Sequence, residues 1–181
     1  MIQTIHVGHL LREAVATPYR NLVTRPTGAA VRGRIQAALE HSTCLTALLD
    51  FSDVELLDFS CADEIVAKLL MGDAEQDRCF LVLRGLREDQ HEAIEHVLTH
   101  HRLAVAAVSP GADGEPRLLG WVTADARTAF ACVCERGTVT ADELARTLDW
   151  SLDRCTEALR TLVAHRLVRP ADERYHALPI A

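Results

Sequence analysis

The first two thirds of the chain alternate between short apolar runs and longer stretches whose apolar residues recur at helical spacing. The short runs predict buried strands at residues 2–7, 46–51, 79–83 and 103–108. The longer patterns predict helices over residues 10–16, 27–41, 60–71 and 88–101. Such an alternation of strands and helices with short connections predicts an α/β layer.

The period of the pattern changes near residue 123. Before it, turn formers over residues 109–116 and an apolar stretch over 117–122 predict a strand that returns antiparallel. After it come three helical patterns, the second opened by the capping box Thr140-Ala-Asp-Glu143 and the third by Ser151. Residues 167–178 then predict two short extended pieces around a polar tip. We therefore predict two domains, residues 1–123 and 124–181.

Charge limits the partners that the chain can bind. The formal net charge is −7, and 18 of the 19 basic residues are arginine, the exception being Lys68. An acidic chain repels a polyanion, so binding to nucleic acid would need a local basic patch. Residues 124–181 hold eight arginines against nine acidic residues, so most of the negative charge belongs to residues 1–123.

Six cysteines lie within apolar stretches, and neither a secretory segment nor an apolar run long enough to cross a membrane is visible. These features predict a cytoplasmic protein without membrane contact, in which reduced cysteines serve as small core residues. The spacing of Cys132 and Cys134 is too tight for a zinc site of the usual kind.

The stretch VTADELARTLDWSLDRCTEALRTLVAHRLVRP has two helical patterns joined by the short turn Asp-Trp-Ser and followed by a hairpin. It resembles the winged helix-turn-helix domain of bacterial regulators, a small and mainly α-helical fold. The resemblance implies that the third helix enters a groove of DNA, and Arg154, Arg160 and Arg174 are the candidate DNA contacts. The alternative is a winged helix that contacts protein or forms a homodimer, with these arginines on a solvated face. Arg166 stands where the family usually has a small residue or glycine.

The segment LLDFSDVELLDFSCADE, at residues 48–64, resembles the signature of STAS domains, the fold of bacterial anti-sigma-factor antagonists. Its ending is closer still to a STAS-like variant often encoded with histidine-kinase-like ATPases. The resemblance implies an α/β domain that binds a partner protein through the surface around Asp58, Ser60, Asp63 and Glu64. In the family the residue after the aspartate is phosphorylated, and here that residue is Phe59. Ser60 is therefore either the phosphorylated residue or a plain helix N-cap.

Other constellations point less clearly to chemistry. Arg25 and Arg32 flank the predicted start of a helix, where free amides attract anions, and are candidates to contact an anion or a partner carboxylate. The residues Glu92, His96 and His100 share one helix face, which we interpret as solvated rather than as a zinc site. No arrangement typical of an enzyme, a metal site or a cofactor site is visible.

The favoured hypothesis is a non-enzymatic bacterial regulatory protein without a cofactor. Its STAS-like domain would bind a partner protein, such as a histidine-kinase-like ATPase, and its winged helix would supply a second interface. The alternative is a transcriptional regulator whose winged helix binds DNA and whose STAS-like domain senses a signal or dimerises. A structural subunit of a larger complex is a third hypothesis.

Overall fold

A computed structural model describes residues 1–16, 18–72, 79–109 and 114–180. The chain divides into two compact units, Met1–Trp121 and Val122–Pro179. Within the described residues, no helix is both long and apolar enough to cross a bilayer.

The first unit begins with β1 (Ile2–His6), α1 (Val7–Val15), β2 (Asn21–Leu22) and α2 (Arg25–Glu40). Next come β3 (Thr46–Asp50), β4 (Leu56–Leu57), α3 (Phe59–Ala62), a π-helical segment (Asp63–Ala67) and α4 (Lys68–Met71). The unit ends with β5 (Phe80–Arg84), α5 (Glu88–His101), β6 (Ala104–Val108) and β7 (Pro116–Gly120).

The predicted α/β layer is confirmed. A five-stranded sheet has the order β1-β3-β5-β6-β7, with β1, β3, β5 and β6 parallel and β7 antiparallel to β6. Its register aligns four buried side chains across the parallel strands, and they belong to the core, namely Ile5, Leu49, Leu83 and Ala107. The inner strands β3 and β6 are buried along almost their whole length, as parallel strands covered on both faces are, which explains their continuous apolar runs in the sequence.

Two predicted helix starts are corrected by the structure. α2 begins at Arg25 rather than at Thr27, because the Thr24 side chain caps it and Pro26 occupies its first turn. α1 follows β1 directly and begins at Val7.

β2 and β4 form a separate two-stranded parallel sheet that the pattern did not predict. Of the predicted turn at 109–116, residues 110–113 lie outside the described residues.

The second unit contains α6 (Ala124–Arg136), β8 (Thr138–Val139), α7 (Ala141–Leu148), α8 (Leu152–Ala164), β9 (Arg169–Ala171) and β10 (Arg174–His176). The strands form an antiparallel sheet of order β8-β10-β9. The predicted capping box is confirmed: the Glu143 amide donates to Thr140 Oγ1 at 3.1 Å, and the Thr140 amide donates to Glu143 Oε2 at 2.8 Å. Ser151 caps α8 as predicted, accepting from the Arg154 amide.

The turn between α8 and β9 has the geometry that a glycine would adopt easily. Arg166 has a φ of 56°, in the left-handed region that most side chains avoid. The turn is held by backbone bonds, since the amides of Arg166 and Leu167 donate to the carbonyls of Val163 and Leu162. The next two residues, Leu167 and Val168, are buried in the core of this unit.

Candidate functional site

Three elements of the first unit meet around the predicted partner-binding residues, here called the acidic motif: Asp58, Ser60, Asp63 and Glu64. The three elements are the start of α2, the stretch from α3 through the π-helical segment, and the end of α5. Gly28 lets α2 pack closely against α3 and the π-helical segment. A Cβ at this position would lie 3.0 Å from the Cβ of Glu64 and 3.3 Å from the Cα of Cys61. The Cys61 thiol donates to the Thr24 carbonyl at 3.1 Å, which joins the starts of the two helices. Burial, and then the nearby Asp58, raise the pKa of that thiol to about 12, so it is an unreactive core group.

Asp58, and not Ser60, is the N-cap of α3. Its Oδ1 accepts from the Cys61 amide at 2.8 Å and also from Ser60 Oγ at 2.8 Å. The prediction that Ser60 caps the helix was wrong, because the helix begins one residue before it, at Phe59. The Ser60 hydroxyl is half-buried and engaged with the capping carboxylate.

Asp63 joins the three elements through both of its carboxylate oxygens. Its Oδ2 accepts from Arg25 Nη1 at 2.8 Å, and its Oδ1 lies 2.7 Å from His101 Nε2. Burial opposes ionisation of this group, but the hydrogen bonds from Arg25 and His101 outweigh it and hold the pKa of Asp63 below its ordinary value. Asp63 is thus a charged link between α2 and α5.

Glu64 lies next to it and is surrounded by cations. Lys68 Nζ donates to Oε1 at 2.8 Å and lies 2.5 Å from Oε2, while Arg32 Nη1 lies 3.3 Å from Oε1 and donates to the Glu64 carbonyl at 2.8 Å. The hydrogen bond from Lys68 is the main reason why the pKa of Glu64 is lowered. The π-helical turn begins at these two acids, and its i to i+5 bond runs from the Lys68 amide to the Asp63 carbonyl.

An open groove of about 490 Å³ lies beside this network. It is lined by Arg25, Phe59, Ser60, Asp63, His96, Val97, His100 and His101. The Phe59 side chain is 57% exposed, and its ring centroid lies 4.8 Å from that of His96 at a tilt of 51°. The groove therefore offers an exposed aromatic face beside exposed imidazoles and a guanidinium that is already paired.

The residues that the sequence singled out separately meet in one network. Arg25 contacts both Asp63 and Glu64, and Arg32 contacts Glu64, so the proposed anion-binding arginines are paired with the acidic motif of their own chain. Sequence reasoning missed the groove contribution of Phe59, His96 and His100. An aromatic residue directly after the capping aspartate was the available signal, but exposure cannot be deduced from that position alone.

The three arginines predicted to contact DNA are each paired with a carboxylate of the second unit. Arg154 binds both oxygens of Asp125 at 2.8 Å and stacks over the Trp150 ring at 4.0 Å. Arg174 Nη2 lies 3.1 Å from Glu143 Oε2, and Arg160 pairs with Glu157 on its own helix. The hydrogen bonds from Arg154 lower the pKa of Asp125, so that pair is fully charged at neutral pH.

Within the described part of the chain, no group of three or more histidine, cysteine, aspartate or glutamate side chains is arranged to hold a metal ion. The helix face of Glu92, His96 and His100 is exposed. Comparison with known proteins adds no assignment, since neither a protein-family model nor a curated protein matches the chain.

Proposed function

We propose that this chain is a non-enzymatic bacterial regulatory protein whose first unit binds a partner protein at the groove beside Phe59. The observation that carries the proposal is an exposed aromatic side chain fixed on a rigid base. Phe59 is the first residue of a helix capped by Asp58 and is flanked by the Arg25–Asp63–His101 network. Aromatic residues, phenylalanine among them, are enriched at protein interfaces relative to the rest of the surface.

The resemblance to STAS-like domains supports the choice of partner. In that family the residue after the aspartate is phosphorylated by the partner kinase, and the residue at that position here is the exposed Phe59. A histidine-kinase-like ATPase encoded beside this chain is the partner we propose. Because the acidic side chains of the motif are neutralised by Arg25, Arg32 and Lys68, the groove presents apolar and hydrogen-bonding surface instead of free negative charge.

Binding of such an ATPase to the full chain, measured by calorimetry, tests the proposal. We expect Phe59→Ala to weaken binding by about tenfold or more, since loss of an anchor costs more than about 1.4 kcal/mol. Met71→Ala is the matched control, because Met71 is 47% exposed on the same helical stretch but does not line the groove. Equal affinities of wild type and Phe59→Ala would refute the proposal.

We propose further that phosphorylation of Ser60 regulates binding of the partner at the groove. A phosphate on Ser60 would bring about −1.5 to −2 charges next to the Asp58 carboxylate, which now accepts from the Ser60 hydroxyl. Repulsion would then disrupt the cap of α3 and shift Phe59. Incubation with the ATPase and ATP, followed by mass spectrometry, tests this phosphorylation. Unmodified Ser60 together with tight binding would make the protein a constitutive adaptor.

For the second unit we propose a winged helix that contacts protein. The order of α6, α7, α8 and a three-stranded antiparallel sheet supports the winged-helix assignment. Carboxylates lie beside Arg154, Arg160 and Arg174 and disfavour DNA binding, because they cancel the local positive charge that phosphate contacts require. In a gel shift on genomic fragments at about 100 mM salt, we expect no retained fragment. A defined fragment that is retained by wild type and lost with Arg154→Ala would favour the transcriptional regulator.

A further inference from the structure

Two buried thiols meet where the central strands of the first unit begin. Cys44 lies two residues before β3, and Cys79 lies directly before β5. Their sulfur atoms are 2.6 Å apart, and the Cys79 thiol also lies 2.9 Å from the Cys44 carbonyl. Both thiols are reduced in the structure and buried, at 3% and 5% exposure. A contact of this kind places the two sulfurs almost within bonding distance, because a disulfide is about 2.05 Å long.

We propose that Cys44 and Cys79 are a redox modification site that closes to an intramolecular disulfide. The strands already hold the two residues side by side, since β3 and β5 pair in parallel and the Phe80 amide donates to the Leu45 carbonyl at 2.7 Å. Closing the bond requires the two sulfur atoms to approach by about 0.5 Å from their present 2.6 Å. The chain between the two cysteines contains α3 and the π-helical segment, so the bond would enclose the acidic motif.

The oxidant is a low-molecular-weight disulfide such as oxidised glutathione. One cysteine thiolate attacks it, forming a mixed disulfide and releasing one small thiol. The second cysteine thiolate then attacks the protein sulfur of that mixed disulfide and releases the other small thiol. Two protein thiols are oxidised, one small disulfide is reduced, and the two protons end on the released thiols. Burial slows the first step, whereas the close approach of the sulfurs favours the second.

The test equilibrates the full chain in buffers of different reduced-to-oxidised glutathione ratio. One sample starts reduced, and one is unfolded in urea and refolded in the same buffer, so that slow access is not mistaken for an unfavourable equilibrium. Free thiols are then alkylated in denaturant, and peptides are mapped by mass spectrometry. We expect a Cys44–Cys79 cross-link to predominate at ratios that leave Cys134 alkylated. Cys44→Ser and Cys79→Ser should lose it, and Cys134→Ser, the matched control, should keep it.

A second measurement on the wild type does not depend on how the variants fold. Because the bond spans a separation of 35 residues, oxidation should raise Tm of the first unit by about 10 °C through restriction of the unfolded chain. The proposal is overturned if both cysteines are alkylated at every ratio after refolding. It is also overturned if they carry only glutathione, or if they cross-link equally to other cysteines.

Discussion

The first unit buries polar side chains, whereas the second keeps them at its surface. Among the described residues, all the buried polar or charged ones lie within Met1–Trp121, namely Thr46, Asp50, Glu64, Gln90 and His91. In Val122–Pro179 three arginines, Arg154, Arg160 and Arg174, pair with carboxylates that remain partly exposed. Burying a polar group is unfavourable unless it finds a partner. Asp50, Glu64 and Gln90 find such partners in hydrogen bonds. The first unit therefore depends on particular polar contacts, and the second on its apolar core and helix caps.

The largest expected effect is at Gln90, which has no exposed surface. Its Nε2 donates to the Val54 carbonyl at 2.8 Å, and its Oε1 accepts from the Arg87 amide at 3.0 Å. We expect Gln90→Ala to lower the free energy of unfolding by about 3 kcal/mol, because it leaves a buried acceptor unpaired and opens a cavity. Urea denaturation measures this loss.

Glu143→Ala is the matched control for that prediction. Like Gln90 in α5, Glu143 is the third residue of its helix, α7, and accepts a hydrogen bond from the backbone amide of the N-cap residue, Thr140. Unlike Gln90, it is accessible to water. We expect a clearly smaller loss than for Gln90→Ala. Equal losses would show that burial does not distinguish the polar contacts of the two units.

A second test compares two glutamates that both pair with cations. The Glu64 side chain is 8% exposed, and that of Glu157 is 67% exposed. We expect Glu64→Ala to lower the free energy of unfolding by about 2 kcal/mol. The loss is smaller than for breaking a fully buried ion pair, because Arg32 and Lys68 can still reach water. Glu157→Ala should cost less than about 0.5 kcal/mol. A cost below about 0.5 kcal/mol for Glu64→Ala as well would remove the contrast.

The strands β3 and β6 could be predicted from the sequence because almost all of their residues are buried and each is a short apolar run. The antiparallel return of β7 and the capping of α7 and α8 also follow from local residues. The strands β2, β4 and β8 were missed because each has only two residues and no apolar period of its own. The π-helical segment was missed because its residues have ordinary helical spacing in sequence.

The acidic motif could be recognised from the sequence, but its environment could not. Arg25 and His101 reach Asp63 across separations of 38 residues on either side. Such pairings depend on how α2 and α5 pack, which no local pattern specifies. The N-cap was misassigned because Asp58 and Ser60 are both good capping residues, and only the backbone decides between them.

Acid should weaken the first unit through its buried carboxylates. The fold lowers the pKa of Asp63 and Glu64, so their ionised forms stabilise the protein above their ordinary pKa. That contribution is lost as the pH falls through the lowered folded values, from about pH 4.5 downward. Burial lowers the pKa of His91, so the unfolded chain binds its proton first and the stability of the first unit already falls below about pH 6.5. Burial of His165 has the same effect on the second unit.

The variant Glu64→Gln separates these effects. The difference in unfolding free energy between wild type and Glu64→Gln should be constant above about pH 5 and shrink below it. Urea denaturation at a series of pH values measures this difference. A difference that already changes between about pH 7 and pH 5 would contradict the assignment to a carboxylate.

The smallest expected effect is at Arg154, although its geometry is the best of the surface pairs. It binds Asp125 with two hydrogen bonds of 2.8 Å and stacks over Trp150. Both charged side chains are well exposed, so water and salt compensate for the loss of either partner. We expect Arg154→Ala and Asp125→Ala to unfold at the wild-type urea midpoint within error at about 0.15 M salt, and their double variant to show no coupling. A loss as large as that of Glu64→Ala would mean that bidentate geometry, and not burial, determines which ion pairs of this protein stabilise it.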